Sequence, residues 1–113
     1  MIKTNKPSVL VTGATGFIGG RLAQRLVESG YLVKLLVRNP DKLAPSLCST
    51  CEIVQGDLGD LAALVSSVRN VSIIYHCAAN VNTWDSWDAY YATNVLGVKN
   101  LLNTIETEGP NLL

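Results

Sequence analysis

The sequence predicts an α/β fold: a doubly wound parallel sheet with helices on both faces, truncated after about four strands. Three observations carry this expectation. Apolar strand-like runs alternate with amphipathic helix-like stretches from Ser8 onward. The second strand, Tyr31 to Val37, is apolar almost throughout, with Lys34 its only charge. A parallel strand covered by helices on both faces reads this way. Finally, strand one, Ser8 to Thr12, runs into Gly13, Gly16 and Gly19, spaced three apart, and then into a helix.

The elements follow in order. Helix one spans about Phe17 to Ser29, with Ile18, Leu22, Ala23 and Leu26 on one face. Arg21, Gln24, Arg25 and Glu28 lie mostly opposite, and Gly30 stands where a left-handed C-cap belongs. After strand two, Arg38-Asn39-Pro40-Asp41 turns the chain, and a short helix starts near Asp41, limited by Pro45. Strand three is about Glu52 to Gln55, ending at Gly56-Asp57-Leu58. Asp60 caps a helix carrying Leu61, Leu64, Val65 and Val68 on one face. Strand four is Val71 to His76, followed by Cys77-Ala78-Ala79-Asn80. A polar loop with Trp84 and Trp87 leads to a longer helix from about Trp87 to Thr107. Tyr91, Val95, Val98, Leu102 and Ile105 are its expected buried face, and Gly109-Pro110 ends it. Asn111 to Leu113 read as the start of a fifth strand.

Composition narrows the function classes. At 113 residues the chain holds one domain at most. Its 48% hydrophobic content is enough for a buried core and argues against disorder. A net charge of zero gives no electrostatic support for a nucleic-acid or anionic-membrane partner. No run of about 20 apolar residues is present to span a bilayer. Lys3 and Lys6 precede an apolar stretch, but Gly13, Thr15 and Gly16 interrupt it too early for a secretory signal. Three cysteines without such a signal point to reduced thiols and a cytoplasmic location. Cys48 and Cys51 form a C-x-x-C pair. Zinc needs about four ligands and no second pair exists, so ordinary thiols are the main reading, with metal and redox roles as minor alternatives.

In an open doubly wound sheet the ligand lies outside the carboxyl ends of the strands, where strand order reverses between strands one and four. That rule selects Gly13 to Ile18, Arg38, Asp57-Leu58 and Cys77 to Asn80. A glycine turn lets backbone amides approach a pyrophosphate, and the following helix aims its positive end at it. The Gly13-x-x-Gly16-x-x-Gly19 spacing differs from the G-x-G-x-x-G fingerprint, but its strand-to-helix context is the one that motif requires. A glycine turn without a ligand is the plainer alternative.

Thr12-Gly-Ala-Thr-Gly-Phe-Ile-Gly19 resembles the glycine motif of short-chain dehydrogenases/reductases, closest to the extended subfamily of epimerases, dehydratases and carbonyl reductases. Gly56-Asp57-Leu58 resembles that family's adenine-contacting Asp-Leu. His76-Cys77-Ala78-Ala79 resembles its strand-four motif beside the cofactor ribose and nicotinamide, and Asn94-Val95-Leu96-Gly97-Val98 its Asn-Val-x-Gly stretch. The likeness covers residues 8 to 109 and implies a Rossmann-like fold. The implied cofactor-binding residues are Gly13, Ala14, Thr15, Gly16, Phe17, Ile18, Gly19, Arg38, Asp57, Leu58, Cys77, Ala78 and Ala79. Asp57 also has a local reading, as a turn residue bonding its own backbone.

The end of strand two selects the cofactor. An acidic residue there would hold the ribose hydroxyls of NAD. This strand instead ends Leu35-Leu36-Val37-Arg38, and the guanidinium fork of Arg38 suits a 2′-phosphate. NADP is therefore expected, with NAD as second choice. The family's catalytic pair is Tyr-x-x-x-Lys. The residues four beyond Tyr31, Tyr75, Tyr90 and Tyr91 are Leu35, Ala79, Asn94 and Val95, so no catalytic residue is assigned. The resemblance places that pair beyond strand five. The expectation is thus an N-terminal part of one dinucleotide-binding domain, with catalytic and substrate-binding portions outside it. The complete enzyme would take a small-molecule substrate and could form a homodimer through the helix near Ala89 to Thr107. A non-catalytic NADP sensor and a thioester or fatty-acyl reductase fragment are the alternatives. The short Arg38 to Glu52 segment counts against the latter, which carries a long insertion there.

Overall fold

The computed structural model describes residues 6–78 and 86–112. Four parallel strands form one sheet in the order β3-β2-β1-β4. They are β1 Ser8–Thr12, β2 Leu32–Val37, β3 Glu52–Gln55 and β4 Ile73–His76. Thr12 stands opposite Leu36 on one side and His76 on the other, so three carboxyl ends finish level with one another. Strand order reverses beside β1, which opens a crevice there.

Alternation along the central strands divides the core in two. Val9, Val11, Val33, Leu35 and Val37 face α1 (Phe17–Glu28) and α2 (Pro45–Thr50), meeting Ala23, Leu26 and Leu47. Leu10 and Leu36 face α3 (Leu61–Val68) and α5 (Gly97–Glu108), meeting Ala63, Leu64, Val68 and Leu101. The apolar run in β2 has this cause, for both of its faces are covered. Lys34, the one charge in that run, is nearly buried. Its Nζ donates to the carbonyls of Ser66 and Arg69, each at 2.9 Å, and lies 3.6 Å from the Glu52 carboxylate. These carbonyls belong to the negative end of α3, which favours a cation.

Several boundaries differ from the expectation for identifiable reasons. β2 begins at Leu32 rather than Tyr31 because the Tyr31 amide closes α1, donating to Leu26 O at 3.1 Å. Gly30, at φ +91°, donates to Val27 O, completing a Schellman end. The helix expected near Asp41 is two pieces. Pro40–Lys42 is a 3₁₀ turn capped by the Asn39 side chain, and Pro45 starts α2 at its first position instead of limiting it.

The long helix is interrupted. Ser86 caps α4 (Trp87–Tyr91), a π-helical turn follows over Ala92–Leu96, and α5 continues to Glu108. Gly109, at φ +60°, ends it. The expected buried line is corrected here. Gly97, Leu101 and Thr104 are buried, one position before Val98, Leu102 and Ile105, while Tyr91, Val95 and Leu102 are exposed. Small residues let α5 approach α3 and Leu58 closely, so the close-packed line is not the line of bulkiest side chains. Asn111 and Leu112 form no strand; the Leu112 amide turns back to Pro110 O at 2.9 Å. Leu113 lies outside the described residues.

Candidate functional site

The glycine turn sits at the carboxyl end of β1, and its three glycines answer three different demands. Gly13 has φ +76°, and a Cβ there would come within 2.6 Å of the Ala78 nitrogen. Gly19 carries α1 directly over the turn, where a Cβ would collide with the Gly13 carbonyl oxygen. Gly16 is under neither constraint. Its φ of −85° suits any residue, and a Cβ would meet only Gly13 O, at an ordinary 3.4 Å. Among the described residues nothing demands a glycine at this position.

Helix α1 starts beside it without a side-chain cap or an acidic residue in its first turn. The amides of Phe17, Ile18 and Gly19 therefore have no helical acceptor, and the first turn carries no carboxylate of its own to offset the positive end of the helix. Phe17 and Ile18 are 80% and 73% exposed. The placement of Ile18 on a buried apolar face is corrected: the first turn of α1 projects past the sheet. Thr15 is also exposed, whereas Ala14 turns its methyl into the core and can offer only backbone.

Thr12 joins the two strands that bound the crevice. Its buried Oγ1 accepts from the amides of Cys77, at 3.1 Å, and Ala78, at 3.2 Å. Both lone pairs are thus used, so its proton goes to His76 Nδ1, 2.8 Å away. His76 is then the neutral tautomer with its proton on Nε2. That atom is buried without a partner among the described residues. Burial lowers the His76 pKa from its ordinary 6.5, in agreement with a neutral ring. Composition and periodicity carried no sign of this cluster, although Thr12 opens the glycine motif. Ala79, Asn80 and Trp84 lie outside the described residues.

Arg38 is exposed at the end of β2. With Gln55, Gly56, Asp57 and Asp60 it lines an open depression across the ends of β2 and β3. Among the described residues Arg38 forms no ion pair. Asp57 makes the local turn that was its alternative reading, accepting from the Gly59 amide at 2.7 Å. Asp60 caps α3 through the Ala63 amide. Leu58 is held from the far side: Asn100 Nδ2 donates to its carbonyl at 2.9 Å, and Gly97 packs on its side chain. No motif in the sequence marks Asn100 as a support, whereas Gly97 has its signal in the Asn-Val-x-Gly stretch. That stretch occupies the π turn and its exit, a distortion frequent at functional sites.

The remaining candidates fall elsewhere. Cys48 and Cys51 lie on α2 and at its C-cap, and Cys77 directly follows β4; all three are free thiols. No group of three metal-ligating side chains occurs among the described residues. No described helix is long and apolar enough to cross a membrane.

A parallel sheet reversing at β1, with a bare turn and an uncapped helix at the reversal, defines a Rossmann-like α/β domain. The family model of the NAD dependent epimerase/dehydratase family matches residues 9–113, and the chain belongs to that family. It is 33% identical over 101 residues to 2-alkyl-3-oxoalkanoate reductase of Stenotrophomonas maltophilia, covering 89% of this chain and 30% of the relative. It is 32% identical over 117 residues to 3 beta-hydroxysteroid dehydrogenase/Delta 5-->4-isomerase of Mycobacterium tuberculosis, covering 96% and 30%. Among solved structures, MoeE5 in complex with UDP-glucose and NAD superposes with a TM-score of 0.77 at 35% identity, covering 90% of this chain and 33% of that one. The chain thus spans about a third of the length of these relatives.

Proposed function

We propose that the chain is the cofactor-gripping part of an extended short-chain reductase, epimerase or dehydratase, binding NADP in preference to NAD. The observation that carries the reading is Gly16, a glycine that neither strain nor packing among the described residues requires, at the N-cap of a helix without a side-chain cap. A diphosphate in that space would accept from the backbone amides of the turn between Gly13 and Gly19 and profit from the α1 dipole. Cys77, Ala78 and Ala79 would flank the ribose and nicotinamide, with Thr12 fixing the first two. Asp57 and Leu58 would border the adenine, with Asn100 and Gly97 fixing Leu58. When bound, the nicotinamide supplies the hydride chemistry. The Tyr-x-x-x-Lys pair and the small-molecule substrate site would come from sequence beyond these 113 residues.

The NAD in the MoeE5 complex supports a nicotinamide dinucleotide and leaves its 2′ position to this chain's own residues. Arg38 favours the phosphate there, since no carboxylate engages it among the described residues. A charge-assisted bond of about 1.5–3 kcal/mol corresponds to roughly a tenfold to hundredfold preference. Calorimetry of the intact protein with NADP and NAD tests this. Arg38→Ala should weaken NADP by that factor and leave NAD unchanged. Equal affinities in the unaltered protein would remove the NADP claim, and no heat with either cofactor would remove the reading altogether.

A further inference from the structure

The Cys48–Cys51 pair is the motif the cofactor site does not use. Cys48 is the fourth residue of α2 and Cys51 its C-cap. The distance between their α-carbons is set by the dihedrals of Ser49 and Thr50, both inside the helix. Three helical steps give about 5 Å, within the range of about 4.4–6.8 Å that a disulfide spans. Cys51 ends the helix with extended dihedrals, φ −113° and ψ 153°, so its side chain can adjust without disturbing a following turn of α2. The two thiols have different surroundings. Cys48 is exposed, while Cys51 is half-buried against the α1–α2 core. Burial, with some repulsion from Cys48, raises the Cys51 thiol above its ordinary range.

We propose that Cys48 and Cys51 form a reversible dithiol–disulfide pair, oxidised by exchange with a low-molecular-weight disulfide. The Cys48 thiolate attacks one sulfur of that disulfide, forming a mixed disulfide and expelling a thiolate. The Cys51 thiolate then attacks the Cys48 sulfur, forming the Cys48–Cys51 bond and expelling the second thiolate. The two protons lost by the cysteines end on the two released thiols. The pair is oxidised by two electrons, and the small disulfide is reduced by two.

The pair reaches the cofactor loop. Cys48 Sγ lies 3.8 Å from the Pro40 carbonyl, two residues past Arg38. Bonding to Cys51 turns that sulfur away and releases the contact. This coupling rests on the NADP reading above, whereas the disulfide does not.

The test treats the intact protein with oxidised glutathione and follows mass and peptide map. The unaltered protein should lose two hydrogens, mapped to Cys48–Cys51, with no lasting glutathione adduct. Cys51→Ser, lacking the resolving thiol, should accumulate an adduct at Cys48. Cys48→Ala, altered only at the surface, should abolish the two-hydrogen loss. An adduct that persists on the unaltered protein as it does on Cys51→Ser, or no reaction at all, overturns the proposal. Titrating NADP into both redox states should show about threefold weaker binding when oxidised. Unchanged affinity with the disulfide formed overturns the coupling alone. No NADP binding in either state overturns the cofactor reading and leaves the pair standing.

Discussion

The carboxyl end of β1 and the outer edge of β4 are built on opposite principles. At the first, neighbours pin the backbone at three points: Gly13 lies on the Cys77–Ala78 backbone, Gly19 on Gly13, and Thr12 Oγ1 is fully engaged. At the second, no described strand pairs with β4 on its outer side. An open apolar groove of about 360 Å³ runs between β4 and α5, lined by Ile73, Ile74, Val98, Leu102 and Ile105 among others. The first region has its geometry fixed by interactions within the chain. The second leaves half of an amphipathic helix uncovered, so hydrophobicity there does not report burial.

Substitutions can break that contrast, beginning with the tightest point. Gly19→Ala should cost about 3 kcal/mol, because the methyl meets a backbone carbonyl that cannot step aside. A denaturation midpoint within error of the parent would mean the turn is not the rigid region. Leu101 and Leu102 test the other side. Leu101→Ala should cost about 3 kcal/mol, and Leu102→Ala, 58% exposed, less than about 0.5 kcal/mol. Equal losses would show that the groove is filled in solution.

A smaller effect comes from acid. His76 is the only histidine, and its folded pKa lies below 6.5. The unfolded chain therefore takes up the proton first. Stability should fall as pH drops below 6.5 and level off beneath the lowered folded value. Urea midpoints across that window, compared with His76→Asn, would expose a flat profile if the Thr12 bond does not hold the ring neutral. The smallest expected change is in Gly16→Ala, which should shift stability by less than about 0.5 kcal/mol while abolishing NADP binding. Retained affinity would show that no ligand approaches that backbone.

Legibility followed the same division. Strands one and three and the start of α1 sit where alternation and glycine spacing placed them, strand one because both of its faces are covered. The grouping of the glycine turn with Arg38, Asp57 and Cys77 at one end of the sheet follows from strand direction alone. The line of burial along α5 was not legible. Gly97 and Thr104 are chosen by how closely the helix must approach Leu58 and α3, and no hydropathy value encodes that distance. The π turn was hidden for a similar reason: its sequence, Ala-Thr-Asn-Val-Leu, carries neither proline nor glycine. The His76–Thr12–Cys77 cluster depends on a register between strands 64 residues apart in sequence.

Lys34 has a dynamic consequence. A helix ordinarily frays from its termini, whose last carbonyls have only water to bond. In α3 those carbonyls are held by an ammonium rooted in the second strand. The terminal turn cannot unwind unless that side chain leaves its place beneath the sheet. Amide protons of the last turn of α3 should therefore exchange with deuterium as slowly as those of β2, the two opening together as one cooperative unit.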